Sequence, residues 1–442
     1  MRLPFRIAVD TSALRESRDY RLLTIGGLVT GFGTQAGLVA LPYQVYVETR
    51  SPALTGLLGL VELGPLVTAS LFAGALADRF DRRRLLLAVQ VGLVAVAAAL
   101  AAAAFAGSPP LWLLYVLAGG AAAGSAVERV TRAAIVPNVV APERLRAALS
   151  FSFGMYQVAM VAGPARGGGL IAWLGIGAAY TVDAVSCLGM VAAAAAMSAQ
   201  LPAGAEHEPV LRSIRSGLGF VRRSQALVGS FAIDLCAMTF GMPRALFPVL
   251  SLSLYHAGAS GTGFLFASVS AGATVAALTT GWLEHARWLG RVVLGAVAIW
   301  GVAIAAAGTV ASIVPALILF AIAGAADSVS AVCRSTISQT LTPDAVRGRM
   351  SSVFSLVVAS GPRLGDVEAG AVASLATPRF SVVSGGVACI ASVGLIAALF
   401  PALARYDGRT AEPIANPQPV YEKGQTPLGN RPQSAGKGVR PL

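Results

Sequence analysis

The chain of 442 residues is 55% hydrophobic and only 12% charged, with 49 glycines and a mean hydropathy of +0.70, which excludes an ordinary soluble domain. A net charge of +12 would suggest a nucleic-acid partner in a soluble protein. Here the arginines fall in short loops between apolar runs, so the charge reads as membrane topology and no nucleic-acid partner is expected.

In chain order, a basic N-terminal tail over 1–21 carries Arg2, Arg6, Arg15, Arg18 and Arg21. An apolar run from about 22 to 47 follows, too long for a cleavable signal peptide and without a convincing cleavage site. Five more runs lie near 54–76, 85–106, 111–136, 146–173 and 176–200, each long enough to span a bilayer as a helix. A polar stretch over 201–226 then carries basic residues at the spacing of an amphipathic helix lying on a membrane surface. A second set of six runs lies near 227–254, 262–284, 291–309, 313–340, 347–375 and 380–403. The tail over 404–442 is rich in proline, glycine and polar residues and is expected to be disordered.

Loop charges set the orientation. The linkers near 78–84, 143–146, 201–226, 285–291 and 342–349 are rich in arginine, whereas those near 107–110, 174–178, 255–261 and 309–312 have none. Both termini are therefore expected in the cytoplasm, with Arg50 and Arg379 as the two exceptions. Cys187, Cys236, Cys333 and Cys389 lie inside apolar runs, with no disulfide framework and no metal spacing.

The loop after the second run reads GALADRFDRRR, with Gly74, Asp78, Arg79, Arg82, Arg83 and Arg84. Gly74 offers a close helix approach, and Asp78 can accept from an arginine or a helix N-terminus. This spacing resembles the signature of the major facilitator superfamily between its second and third helices, although Asp81 stands where that signature usually has glycine. The resemblance implies an all-α membrane protein of twelve transmembrane helices in two pseudo-symmetric six-helix bundles, here 22–200 and 227–403. It also implies a switch loop whose Asp78 makes an inter-helix contact, for which Arg129 and Arg132 are the candidate partners.

The halves read as repeats. VVAPERLRAALSF at 139–151 and TLTPDAVRGRMSSVF at 340–354 share Pro142 with Pro343 and Arg146 with Arg347, and Gly163-Pro164 and Gly361-Pro362 follow at similar distances. Gly163, Pro164, Gly167 and Gly168 form a GPARGG segment that resembles the fifth-helix signature of antiporters in the superfamily, and so implies export. Arg166 within it, with Arg244 and Arg363, lies towards an outer helix end; these three either snorkel or line an exit for an anionic cargo.

An ionisable group inside a membrane needs a partner, a water-filled cavity or a purpose. Glu62 and Asp234 each lie about 12 Å into their runs, and Asp183 and Asp327 are also well inside. Asp234, Glu62 and Asp327 are the candidate proton carriers, set against simple pairing with an arginine; Arg334 is on hand for Asp327. Asp183, in YTVDAVS, resembles a structural acid of the drug-and-siderophore exporter branch of that superfamily. Gln35, Tyr43, Tyr156, Gln157 and Arg334 are the candidate cavity residues, with Gln44 and Tyr255 in support, and suit an amphipathic aromatic cargo; interfacial anchoring is the alternative for Tyr46 and Tyr255.

The segments DAVSC, GMPRALFP and 320–366 resemble the branch that holds a catecholate siderophore (enterobactin) exporter and macrolide or tetracycline efflux pumps. That resemblance implies a proton-coupled exporter of a siderophore or drug in a bacterial inner membrane; an uptake permease of the same fold and a non-transporting receptor or scaffold are the alternatives. No Walker loop, HExxH or paired histidines occur, so neither an enzyme nor a cofactor or metal is expected. The expected partners are a small-molecule substrate, protons and membrane lipid, with a monomer as the working unit.

Overall fold

The computed structural model describes residues 12–201, 210–343 and 346–409; of the expected tails over 1–21 and 404–442 and the polar stretch over 201–226, the parts 1–11, 410–442 and 202–209 lie outside the described residues. A short α1 (Ser12–Glu16) leads into α2 (Arg18–Thr49), α3 (Pro52–Arg79), α4 (Arg82–Phe105), α5 (Leu111–Val139), α6 (Leu145–Leu174) and α7 (Ile176–Ala196). After α8 (Val210–Val221) come α9 (Gln225–Phe240), α10 (Phe247–Ser253), α11 (Gly258–Thr279), α12 (Leu289–Thr309), α13 (Ile313–Leu341), α14 (Arg347–Leu375), α15 (Pro378–Leu399) and α16 (Pro401–Ala404).

Helices begin where the sequence supplies a side-chain acceptor. Ser17, Ser51, Asp81, Ser224 and Thr377 each accept the N–H of a residue in the first turn, which satisfies one of the donors that a helix start leaves open. Pro52 and Pro378 occupy first turns, where their missing N–H costs nothing.

Among the described residues, 10 segments are long and apolar enough to cross a membrane, α9 and α10 counting as one. Two further helices, α6 (30 residues) and α14 (29 residues), have the length but are more polar. α6 packs on α11 and α14 packs on α3, so both run along the boundary between the two helix sets. Together they are consistent with the expected twelve spans. Large apolar side chains such as Phe72, Phe105, Trp173 and Leu278 stay exposed on the outside, as a lipid-facing surface requires.

The run expected as one span over 227–254 is broken. Gly241 ends α9, and Pro243 and Pro248 remove two backbone donors, so the chain passes through a tight turn at Arg244–Leu246 before α10. The carbonyl that the break frees at Gly241 accepts the indole N–H of Trp300 at 2.7 Å, and the N–H of Ala245 donates to Asp366 Oδ1 at 2.8 Å. Both polar groups are thus satisfied inside the bundle, which is the condition for irregular backbone at membrane depth.

Within the first set, α2 packs on α6 and α7, α3 on α5, and α4 on α7; within the second, α13 packs on α11 and α12, and α12 on α15. Phe247 stacks edge-on against Phe266 and Phe320 at centroid distances of 4.8 and 5.1 Å, each such pair contributing ~1 kcal/mol beyond area burial. The two sets meet through α3 with α14 and through α6 with α11. These two contacts correspond under the repeat, because α3 and α11 are the second spans of their sets and α6 and α14 the fifth.

Glycines make those meetings close. A Cβ at Gly168 would lie 2.8 Å from the Cα of Gly263, and one at Gly370 would lie 2.8 Å from the Cα of Gly56. Both contacts sit towards the ends of the helices opposite the arginine-rich loops. The linker helix α8 packs on α14, where a Cβ at Gly217 would meet Val353 at 2.8 Å, and its Phe220 and Val221 are buried. The amphipathic stretch expected over 201–226 therefore rests its apolar side on the bundle.

Candidate functional site

Between the two sets lies a cavity of about 650 Å3. Its wall comes mostly from α2, α3, α5 and α6, and the second set supplies only Arg244, Ala245, Phe266, Pro362, Arg363 and Asp366. The ends of the helices opposite the arginine-rich loops close it. There the N–H of Ala53 donates to Ser374 Oγ at 2.8 Å, and the glycine contacts join α3 to α14 and α6 to α11. In the other direction the wall runs to Leu23, Val136, Leu149 and Ser152, near the arginine-bearing loops.

Glu62, from the second apolar run, lines this cavity, and its Oε2 meets a guanidinium nitrogen of Arg363 at 3.5 Å. This ion pair crosses between the sets, because α3 contributes one partner and α14 the other. One turn along α14, Asp366 also lines the cavity and caps the broken span through Ala245. Asp366 was not among the acids singled out from the sequence. Its spacing of three from Arg363 was the available signal, since it places both on one face of a helix.

Asp234 and Asp327 are brought together elsewhere. Arg334, buried on α13, forms an ion pair with Asp234 Oδ1 of α9, and its other terminal nitrogen lies 3.8 Å from Asp327 Oδ1. None of these three is among the residues that line the cavity. They form a separate charged cluster inside the second set, with two carboxylates about one guanidinium.

The remaining cavity acids have local partners. Asp183 accepts from Thr34 Oγ1 at 3.3 Å, and its carboxylate would be 2.7 Å from a Cβ placed at Gly37, so bare helix backbone on α2 leaves room for it. Arg132 meets Glu128 Oε1 at 3.4 Å and lies over Gly27, where any side chain would collide with its guanidinium. Arg129 also lines the cavity.

Gln35 and Tyr156 line the cavity, and Gln35 donates to Met160 Sδ at 2.8 Å. Gln157 instead donates to Thr274 Oγ1 at 3.2 Å, a third polar contact between the sets. Tyr43 is half-buried against the apolar core and, like Gln157 and Arg334, is not part of the cavity wall. Gln44 is buried and accepts the hydroxyl of Tyr180 at 2.9 Å. Tyr255 is buried too, donating to the carbonyl of Ala307 at 2.7 Å.

The residues of the expected switch loop other than Arg129 and Arg132 sit together at the arginine-bearing end. Asp78 and Arg82 form an ion pair at 3.7 Å, while Arg82 also donates to the carbonyl of Ala134 on α5 at 3.0 Å and Arg83 to that of Ala194 on α7 at 3.0 Å. Asp81 caps α4 and accepts the N–H of Gln200 at 2.9 Å. The loop thus ties α3 and α4 to the ends of α5 and α7. Arg79 lies with its guanidinium 5.9 Å from the ring centre of Phe80. The close approach expected at Gly74 is not made, since nothing lies within 4 Å of where its Cβ would stand.

The GPARGG segment does bring helices together. A Cβ at Gly163 would lie 2.6 Å from Gln35 Cβ, one at Gly167 would lie 2.8 Å from Ala36 Cα, and Pro164 and Gly168 face Gly263 of the other set. Arg166 places its guanidinium 5.0 Å from the ring centre of Phe32.

A family model described as a transmembrane secretion effector matches residues 11–425. The enterobactin exporter EntS of Shigella boydii serotype 4 (strain Sb227) is 27% identical over 354 residues, covering 79% of this chain and 83% of that protein. EntS of Escherichia coli O81 (strain ED1a) matches at 27% over 354 residues with the same coverage. Among solved structures, a POT family transporter in complex with a thioalcohol conjugated peptide has a TM-score of 0.70 at 11% identity, covering 87% of this chain and 96% of that one. A bacterial homologue of the human lysosomal transporter Spinster, inward-facing and unoccupied, has a TM-score of 0.66 at 15% identity, covering 88% and 96%. At these identities the structures establish the fold alone.

Proposed function

Because the chain belongs to the transmembrane secretion effector family of the major facilitator superfamily, we propose that it exports a small amphipathic molecule, a siderophore or drug, from the cytoplasm. The export is driven by protons and proceeds by alternating access. That the chain is a multi-pass membrane transporter follows from the family; cargo, direction and coupling are the proposal.

The positive-inside rule puts the arginine-bearing loops and both termini in the cytoplasm of a bacterial cell. The cavity then opens to the cytoplasm and is closed at the outer face, a loading state for an exporter. The observation that carries the reading is the ion pair between Glu62 and Arg363, which spans the two helix sets at the cavity wall. A proton taken by Glu62 removes one charge of that pair and weakens a contact that must break when the outer face opens. Asp234 and Asp327, sharing Arg334 inside one set, are the second coupling site.

The direction is tested in vesicles of both orientations loaded with enterobactin or a fluorescent drug under an imposed pH gradient. Gradient-dependent movement away from the cytoplasmic face supports export. Movement towards that face for every cargo that moves would establish an uptake permease instead.

A further inference from the structure

Four carboxyl and four guanidinium groups line the cavity: Glu62, Glu128, Asp183 and Asp366 against Arg129, Arg132, Arg244 and Arg363. Formally they balance, but their pairing does not. Glu128 is matched to Arg132 and Glu62 to Arg363, whereas Asp183 and Asp366 take neutral partners, the Thr34 hydroxyl and the Ala245 N–H. Among the described residues, no carboxylate lies within 4.0 Å of Arg129 or Arg244.

A desolvated carboxyl can shed its charge by taking up a proton, and a guanidinium cannot. The charge such a cavity must keep is therefore positive, with Arg129 and Arg132 nearer the open end and Arg244 and Arg363 at the closed end. Arg244 sits there on the turn that breaks the span between α9 and α10. Arg363 stands one turn along α14 from Asp366, whose Oδ1 accepts the N–H of Ala245, the residue after Arg244, at 2.8 Å, so both arginines are held near the same carboxyl. Arg363 is also incompletely used. Its Nε is buried without a partner, one terminal nitrogen donates to the carbonyl of Ala359 on its own helix at 3.1 Å, and its contact with Glu62 is long for an ion pair.

We propose that the closed end of the cavity is an anion subsite, in which Arg244 and Arg363 together take an acidic group of the cargo as Arg363 turns away from Glu62. The inference rests on the export reading for its cargo and narrows it to molecules carrying a carboxylate or an ionised phenol beside an aromatic body. The two planar forks can each offer two donors to one acidic group, while Phe266 and Pro362 supply an apolar wall beside it. Arg129, nearer the open end, adds positive potential along the path inward.

The test uses the full chain purified into lipid nanodiscs, titrated with 2,3-dihydroxybenzoate and with its neutral amide, 2,3-dihydroxybenzamide, which differ in charge but hardly in shape. The acid is expected to bind about tenfold or more tighter than the amide. Arg244→Gln and Arg363→Gln should each reduce acid binding to the level of the amide, and Arg244→Lys should keep part of the preference. Equal binding of the two probes, no binding of the acid at millimolar concentration, or a preference that survives both Gln variants overturns the subsite. Thermal melting of each variant excludes a folding defect, and Arg244→Gln alone suffices should Arg363→Gln fail to fold. Gradient-driven efflux measured on the same preparations separates the two readings. Efflux without charge preference leaves export standing and removes the subsite; charge preference without efflux does the reverse.

Discussion

Glu62 on α3 and Arg363 on α14 meet at 3.5 Å across the boundary between the two helix sets, each side chain about a quarter exposed to the cavity. An ion pair so placed gains little net stability, because partial desolvation offsets much of its Coulomb attraction. Its position matters more than its strength. It lies on the helix pair that closes one end of the cavity, and so it reports whether that end is shut.

The shut end can be locked. The N–H of Ala53 reaches the side chain of Ser374 from the other set, so the chain positions 53 and 374 are in contact only while the sets are closed there. The double variant Ala53→Cys with Ser374→Cys should form a disulfide under oxidant and lose transport, and reductant should restore it. Cross-linking with full retention of transport would show that this contact does not need to open.

The glycine contacts should be as sensitive to size. A Cβ at Gly168 would stand 2.8 Å from the Cα of Gly263, so Gly168→Leu must push α6 from α11. We expect transport to fall by about tenfold or more while the variant still inserts. Gly154, on the same helix with nothing within 4 Å of a Cβ, is the control: Gly154→Ala should transport like the native chain.

The cluster of Asp234, Arg334 and Asp327 should behave as a structural unit first. Removing one partner of a buried pair leaves the other charge uncompensated, at a cost of ~3–5 kcal/mol. Arg334→Met, which strips both carboxylates of their cation, is therefore expected to lower the melting temperature in detergent, and Asp234→Asn, which leaves Arg334 with Asp327, to lower it less. Native-like melting of Arg334→Met would contradict the structural part of this account and leave the cluster its coupling role alone.

At the arginine-bearing end a pair outside the spans gives a pH signature. The guanidinium of Arg287 donates to Asp407 at 2.7 Å, and this bond, with the N–H of Arg409, holds the Asp407 carboxyl below its ordinary value of 3.8. A carboxyl depressed in the folded state contributes stability above its unfolded value and loses it as pH falls through the folded value. The difference in melting temperature between the native chain and Asp407→Asn should be constant above about pH 5 and vanish towards lower pH.

Much of the fold was legible because hydropathy and loop charge act locally. The run read as 347–375 coincides with α14 (Arg347–Leu375), and the repeated Pro142 and Pro343 both stand at the start of a long helix. The break between α9 and α10 had its signal in Gly241 and Pro243, yet the uniform apolarity on either side hid it. Pairing was not legible, since the partner of Glu62 stands about three hundred residues away and depends on which faces the two sets present. Arg334 and Tyr43 illustrate the same limit, because a helix apolar on all sides gives no sign of which residues face the cavity.

The most direct test of proton coupling at the boundary between the sets is cargo movement in inverted vesicles, with and without an imposed pH gradient, for the native chain and Glu62→Gln. The account predicts that the native chain accumulates enterobactin or a fluorescent drug against its gradient only when protons are available. Glu62→Gln should lose that accumulation while still exchanging cargo down its own gradient. A variant that accumulates cargo as the native chain does would contradict the account and remove Glu62 from the coupling.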